Sequence, residues 1–128
     1  MKQVIVGHYY CGYESIQVVL REGFGGEFFV TPELGSVARV KIGADQDTWG
    51  EMLAVFLHEL FEFSLVRLGK RFEQDGNIIP KSSSSFLFVM NHEEMHLAVS
   101  MVAGCMEDCV PDLGKAWDKW QKKKKKKK

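Results

Sequence analysis

One stretch of this chain restricts its fold more than any other: residues 49–68, which read WGEMLAVFLHELFEFSLVRL. Thr48 and Glu51 form a capping-box pattern at its start and Gly69 follows its end, so the stretch predicts one long helix. This helix is apolar on nearly every side, which is typical of an element at the centre of a fold. Three ionisable side chains interrupt its middle: His58, Glu59 and Glu62.

The chain before this helix predicts a small antiparallel sheet. Four segments rich in β-branched and aromatic residues are interpreted as strands, at residues 2–6, 15–21, 27–31 and 36–42. Residues 7–12 are expected to form a tight connection between the first two strands. Residues 32–35, with Pro32 placed for a turn, are expected to join the last two.

The chain after the long helix predicts a loop and two further helices. Residues 71–85 indicate a loop, with a turn at 75–77 and four serines at 82–85, and residues 86–90 indicate a strand or the start of a helix. Asn91 and Glu94 form a second capping pattern, for a helix that Pro111 is expected to end. A last helix follows over 111–121. The predicted fold class is α+β, with a small antiparallel sheet in the N-terminal third packed on a long central helix plus two C-terminal helices.

The charge of the chain is unevenly distributed. Seven of its seventeen basic residues form the run at 122–128, and without them ten basic residues face seventeen acidic ones, which gives the rest of the chain a net charge near −7. We expect one globular domain over residues 1–121 and a disordered poly-lysine tail over 122–128. An acidic domain is a poor nucleic-acid binder, so no specific nucleic-acid partner is expected.

The cysteines and the hydropathy pattern indicate an intracellular protein. The chain has an odd number of cysteines, Cys11, Cys105 and Cys109, and no recognisable secretory signal. Both features favour a reducing, cytoplasmic setting. No apolar run reaches the roughly 18 residues of a membrane span, so no membrane association is expected. Cys105 and Cys109 share a helical face, where they either bind metal or act as small buried hydrophobic residues.

The long helix carries the first candidate site. His58 and Glu62 lie one helical turn apart and point to one side, a spacing with which a histidine and a second ligand hold zinc, while Glu59 points toward the packed face. In such a site Glu59 is the candidate catalytic base. The alternative is structural: Glu51, His58 and Glu62 form a solvated stripe of an otherwise buried helix, and Glu59 pairs with a basic residue from elsewhere in the chain.

A second cluster, HEEMH at residues 92–96, supplies further candidate ligands. His92 and His96 have the spacing at which two imidazoles on one helix coordinate zinc, and equally suit two half-buried histidines at the border of an apolar face. His58 and Glu62 with either His92 or His96 form a His/His/carboxylate set that zinc accepts. Three such ligands leave one position open for water, as in a catalytic site, whereas four close the site and make it structural. The predicted metal ligands are therefore His58, Glu62, His92 and His96.

The order of these elements resembles a known family. A short sheet leads through a polar turn into a helix that reads AVFLHELFEF, which is similar to the zincin-like metallopeptidase core of small bacterial and phage proteins, with the HExxH-type motif centred on residues 57–60. The resemblance covers residues 26–68. The chain departs from the family pattern at Glu62, where the family has histidine, which indicates either a degenerate, non-catalytic relative or a site completed by His92. The resemblance implies a zinc cofactor, a peptide substrate and a phage-encoded origin.

Two functions follow as hypotheses. The first is a zincin-like metal-binding protein, a metal-dependent peptidase or amide hydrolase or an inactive relative of one, with Glu59 as its base. The alternative is a non-enzymatic small protein of phage type that acts by binding a partner protein. The sequence indicates neither a substrate nor an oligomeric state.

Overall fold

A computed structural model of the chain describes residues 2–30, 37–73 and 86–126. Its elements in chain order are β1 (Gln3–Cys11), β2 (Glu14–Arg21), β3 (Gly26–Phe29), β4 (Ala38–Gly43), α1 (Trp49–Arg67), β5 (Arg71–Glu73), β6 (Phe86–Phe88) and α2 (His92–Lys126). The fold is α+β, as the sequence predicts: a four-stranded sheet, a central helix and a long C-terminal helix.

The four-stranded sheet is mixed, so the prediction of an antiparallel sheet is wrong in this respect. The strand order is β1-β2-β4-β3, in which β2 and β4 run parallel and the two outer pairs run antiparallel. The physical reason is burial. The alternate residues of β2 and β4 that face the helices are almost fully buried, whereas β1 and β3 are mostly exposed or half-buried. The two most apolar strands therefore occupy the centre of the sheet.

The first strand is longer than the sequence predicts. Residues 7–11, expected in a connection, belong to β1, which pairs with β2 from Gln3 to Cys11. A register shift between Ile5 and Gly7 lets the strand pass the glycine without ending. The reversal occurs instead at Gly12, whose φ of 66° is a left-handed conformation that glycine adopts without strain.

Helix α1 begins and ends where the sequence predicts. Thr48 Oγ1 accepts the backbone N–H of Glu51 at 3.2 Å, and the Glu51 carboxylate accepts the N–H of Asp47 at 3.0 Å. At the other end Gly69 has a φ of 73°, and the N–H groups of residues 69 and 70 bond to carbonyls of the last turn at 3.0 and 2.8 Å. These bonds satisfy backbone groups that a helix end otherwise leaves without partners.

One row of α1 side chains supplies much of the hydrophobic core. The row is fully buried and consists of Met52, Phe56, Leu60 and Phe63. It shares one cluster with the buried residues of β2, β4 and α2. Because the buried residues of β2 and β4 lie side by side in register on one face, both helices pack on that face. Burial of each large side chain contributes about 1.5–3 kcal/mol.

Helix α2 is a single helix, so the prediction of two C-terminal helices is wrong. Pro111 lies inside it. Proline has no N–H to donate to the carbonyl four residues earlier, which is why the sequence predicts an end there. The helix continues because it is anchored on both sides of this residue: Cys109 and Leu113 are fully buried, and Trp117 Nε1 donates to the carbonyl of Ala44 at 3.0 Å. Tertiary packing outweighs the lost backbone bond.

The helix also extends into the lysine run. The sequence predicts a disordered tail over 122–128, whereas α2 continues through Lys126, and residues 127 and 128 lie outside the described ranges. Gln121 Nε2 donates to the carbonyl of Ala44 at 3.1 Å, and Lys124 Nζ lies 3.0 Å from the Asp45 carboxylate. These contacts attach the start of the lysine run to the loop after β4.

Two predicted connections cannot be compared with the structure. The turn at 32–35, and the turn at 75–77 with the serines at 82–85, lie outside the described residues. The predicted loop over 71–85 does begin with a strand, since β5 pairs antiparallel with β6. Residues 86–88 are thus a strand, one of the two structures that the sequence allows. In the part of the chain that the structure describes, no helix has the length and apolar character to cross a bilayer.

The three cysteines are small buried residues of the core. Cys11, Cys105 and Cys109 are free thiols and each is almost fully buried. This agrees with the structural interpretation of Cys105 and Cys109. Burial raises the pKa of the Cys109 thiol to about 12, which favours its neutral form.

Gly43, the last residue of β4, is expected to be intolerant of a side chain. A Cβ atom there would lie 2.4 Å from the carbonyl oxygen of Gly23, and the backbone cannot yield because the Gly43 N–H bonds to Gly25 at 2.7 Å. We expect Gly43→Ala to lower the free energy of unfolding by about 1–3 kcal/mol. Urea unfolding followed by circular dichroism measures the change.

Gly104 is the matched control for this substitution. It lies on the exposed face of α2, where a Cβ atom would have no neighbour within 4 Å. Gly104→Ala should raise the free energy of unfolding, by up to about 1 kcal/mol, because alanine favours helix. Equal effects of the two substitutions would contradict the packing described at Gly43.

Candidate functional site

A groove of about 690 Å³ separates β3 from α1 and contains the first predicted site. Consecutive residues 25–28 line it from the strand side, together with Val30. Since neighbouring side chains of a strand point to opposite faces, this pattern places the groove along the open edge of β3. On its other side the groove is lined by Ala54, Val55, His58, Glu59 and Glu62 of α1 and by Arg71 of β5.

Gly26 brings the strand close to the helix at this point. A Cβ atom on Gly26 would lie 2.9 Å from Val55 Cγ1 and 3.0 Å from Glu59 Cγ. Only glycine leaves room for the approach of the two elements without a shift of one of them. The close approach covers the stem of Glu59 with the backbone of β3.

Glu59 is the most unusual side chain of the groove. The residue is 8% exposed, and its carboxylate receives no hydrogen bond or ion pair from any residue in the described ranges. Burial raises the pKa of Glu59, and the neighbouring carboxylates of Glu62 and Glu27 raise it further, while His58 acts in the opposite direction. A buried carboxylate without a partner is costly, so this position is expected to attract a cation or a proton.

Glu62 lies between a histidine and an arginine. Its Oε2 atom is 3.5 Å from His58 Nε2, and its Oε1 atom is 3.2 Å from Arg71 Nη1. The His58 side chain is 71% exposed and that of Glu62 only 17%. The predicted pair His58–Glu62 is therefore brought together, with the imidazole free to turn and the carboxylate held in place.

Arg71 closes one end of the groove. Its guanidinium carbon lies 4.0 Å from the ring centroid of Phe86 and 5.6 Å from that of Phe28. Stacking on aromatic faces orients an arginine as well as contributing about 0.5–1 kcal/mol at exposed sites. Within the described residues, the basic side chain that reaches this part of α1 from elsewhere in the chain is Arg71, and it pairs with Glu62.

Glu27 contributes a further carboxylate that is already neutralised. Its two oxygens contact Arg21, with Nε at 2.9 Å. Hydrogen bonding from Arg21 lowers the pKa of Glu27, so this carboxylate is charged and paired at neutral pH. Glu27 is therefore held by Arg21 and is not free to bind a ligand.

His92 and His96 are not brought to this groove. Both are exposed on the first turns of α2, after a cap in which Asn91 and Glu94 exchange two hydrogen bonds of 2.9 Å, as the sequence predicts. Lys70 forms an ion pair with Glu94. Among the residues in ranges 2–30, 37–73 and 86–126, no three or more His, Cys, Asp or Glu side chains are arranged to hold a metal ion. The full ligand set stays a prediction.

Three residues of the groove carry no role in the sequence-based hypotheses. Arg71 falls in a segment that the sequence predicts to be a loop. Its position just after Gly69, which ends α1, is a signal that the chain reverses direction there and returns toward the helix. Gly26 belongs to a glycine-rich break, and a glycine beside a strand often marks a close approach of another element. Glu27 gives no signal, because its position opposite α1 depends on the strand order.

No protein family, curated protein or solved structure matches this chain. The resemblance to the zincin-like core therefore stays a prediction. It rests on residues 57–60 and on the position of His58, Glu59 and Glu62 in one groove.

Glu59 is expected to reduce the stability of the metal-free protein. Glu59→Gln removes the charge that burial disfavours and preserves the volume of the side chain, so it should raise the free energy of unfolding by about 1 kcal/mol at pH 7. Thermal unfolding in the presence of chelator measures this. Glu62→Gln is the matched control, and it should lower stability because it removes the charge that faces Arg71. Shifts of the same sign would contradict these assignments.

The effect of Glu59 on stability should depend on pH. Because the folded-state pKa of Glu59 is raised, the folded protein holds this proton more tightly than the unfolded chain. The resulting contribution to stability is fully present below the ordinary value, about 4.3, and is lost as the pH rises through the folded-state pKa. The advantage of Glu59→Gln should therefore grow between about pH 4 and pH 7. A constant difference over this range would argue against the raised pKa.

Proposed function

We propose that the groove between β3 and α1 binds a divalent metal ion, with zinc as the first choice, and that the chain is a zincin-like hydrolase of peptide or amide bonds. One observation carries the proposal: Glu59 is 8% exposed, lines the groove beside His58 and Glu62, and has no partner within the described residues. A cation in the groove is the partner that would offset the cost of burying this carboxylate.

The positions of His58 and Glu62 fit two ligands of one ion. Their nearest atoms, Nε2 and Oε2, are 3.5 Å apart. Two atoms that each lie about 2.0–2.2 Å from one tetrahedral ion are about 3.4 Å from each other, and zinc accepts both imidazole and carboxylate. His92 and His96, predicted as additional ligands, lie outside the groove, and the proposal does not depend on them.

Each groove residue has a chemical role in this proposal. A bound zinc ion would polarise a carbonyl group and make a water molecule more acidic. Glu59 would accept the proton of the attacking water, because its carboxylate lines the groove beside His58 and Glu62 and has no partner within the described residues. Arg71 would hold Glu62 from the far side and fix the orientation of its carboxylate.

The edge of β3 supports a peptide as the substrate. Within the described residues no strand pairs with the outer side of β3, so its backbone groups are open along the groove. An extended peptide is able to pair with such an edge through its own backbone. This pairing would carry a peptide bond past Glu59.

The alternative function, a protein that acts by binding a partner, has one observation in its favour. Phe72 and Leu87 lie directly opposite each other in β5 and β6 and are 49% and 46% exposed. An exposed apolar pair of this kind is typical of a contact surface. Under this alternative, Phe72→Ser with Leu87→Ser would abolish partner binding, whereas Glu59→Gln would leave the activity of the protein intact.

Zinc binding tests the proposal. The full chain, freed of metal and then loaded with zinc, is expected to retain about one ion per chain by elemental analysis, and chelator should lower its melting temperature. His58→Ala and Glu62→Gln should each weaken binding by at least tenfold, roughly the effect of disturbing a metal ligand. Isothermal titration calorimetry measures this. Unchanged binding in both variants would refute the site.

Two further variants separate the roles of the other candidates. The double variant His92→Ala and His96→Ala should keep its zinc, because neither side chain lines the groove. Glu59→Gln should also keep zinc but lose peptide hydrolysis by about 10²–10⁴-fold, the usual contribution of a general base. Hydrolysis that survives this substitution would exclude Glu59 as the base.

A further inference from the structure

A second groove, of about 820 Å³, lies at the opposite edge of the sheet, between β1 and the C-terminal part of α2. Residues 4–6 of β1 line it consecutively, and within the described residues no strand pairs with the outer side of β1, so this groove also runs along a strand edge. Its apolar lining, the floor of the groove, has two parts: Trp120 on the side of α2, and Ile5, which is 61% exposed and points to the other face of the sheet from its core-packed neighbours Val4 and Val6. None of the residues of the proposed metal site belongs to it.

Lysines form most of the charged lining of this groove. Six lysines line it, against three acidic residues, Glu22, Asp45 and Asp118. One of the three, Asp45, is already paired with Lys124. The groove therefore carries a net positive charge, although the rest of the chain is acidic.

The charges of α2 are separated along its length. Residues 92–112 contain five acidic residues and no lysine or arginine, whereas residues 113–126 contain seven lysines and one aspartate. Several of these lysines are one turn apart, such as Lys115 with Lys119 and Lys119 with Lys123, and like charges at this spacing repel. In the part of the chain that the structure describes, Lys124 is the one of the seven that has an ion pair. An anionic ligand would offset this repulsion.

The shape of the groove selects among anionic ligands. Single-stranded nucleic acid is usually bound by exposed aromatic rings on which bases stack. The aromatic ring of this groove, Trp120, is only 9% exposed, so it offers no stacking surface. An open strand edge instead provides backbone donors and acceptors for an extended peptide. The apolar floor suits a peptide that alternates acidic and apolar side chains.

We propose that this groove binds an extended acidic peptide segment, which adds to the edge of β1 and places its carboxylates against Lys115, Lys119 and Lys123. The apolar side chains of the peptide contact Ile5. Because alternate side chains of a strand point to opposite sides, one row of the peptide meets lysine while the other meets the floor. The site is separate from the metal groove and does not depend on the proposed hydrolase activity.

Fluorescence anisotropy tests the proposal with the full chain and a labelled peptide of about eight alternating Glu and Val residues. We expect the peptide to bind, and Lys119→Glu with Lys123→Glu to weaken binding by at least about tenfold. Lys125→Glu with Lys126→Glu is the matched control, with the same charge change on the same helix but outside the groove. It should weaken binding less than about threefold. Equal losses in the two variants would overturn the proposal.

Three more measurements separate strand addition from attraction by charge alone. A peptide methylated on alternate backbone nitrogens should not bind, since it cannot donate to β1. Ile5→Glu changes the groove without touching α2 and should also abolish binding, while circular dichroism reports that α2 is intact. An oligothymidylate with the same charge should bind more weakly than the unmethylated peptide. Binding that ignores backbone methylation, or that prefers the oligonucleotide, would overturn the proposal.

Discussion

The contact between one row of α1 and the central strands holds the two layers of this fold together. Met52, Phe56, Leu60 and Phe63 are fully buried against β2 and β4, and each such side chain contributes about 1.5–3 kcal/mol. Glu59 lies between members of this row on the same helix, so the packing that stabilises the core also removes its carboxylate from water. The burial of the Glu59 carboxylate is therefore a consequence of how the core packs. Gly26 contributes to this burial, because its lack of a side chain lets β3 approach the helix.

Both outer strands of the sheet, β1 and β3, border a groove, and the two grooves differ in charge. The groove at β3 contains the carboxylates of Glu27, Glu59 and Glu62, with Arg71 at one end. The groove at β1 is lined mainly by lysines of α2. The near-zero formal charge of the chain hides this separation. The two proposed sites, one for a cation at β3 and one for an acidic peptide at β1, therefore lie at opposite edges of one sheet.

Local patterns in the sequence predict the parts of the fold that local interactions determine. The caps of α1 and α2 and the inward direction of Glu59 all follow from residues within one or two helical turns. The strand order does not, since it depends on which strands bury most apolar surface against the helices. The continuation of α2 through Pro111 is also not visible from local sequence. The backbone hydrogen bond that proline removes is offset by the burial of Cys109 and Leu113 in the core, which depends on residues far away in the sequence. The contact of Arg71 with Glu62 likewise requires the turn at Gly69 and the pairing of β5 with β6.

The central claim is that His58 and Glu62 hold one divalent ion beside Glu59. Zinc K-edge X-ray absorption of the zinc-loaded full chain tests it most directly, because the spectrum reports the ligands of the ion itself. We expect nitrogen and oxygen neighbours at about 2.0–2.2 Å, with imidazole scattering that disappears in His58→Ala. A spectrum that is the same in His58→Ala, or that shows a shell of water oxygens alone, would contradict it.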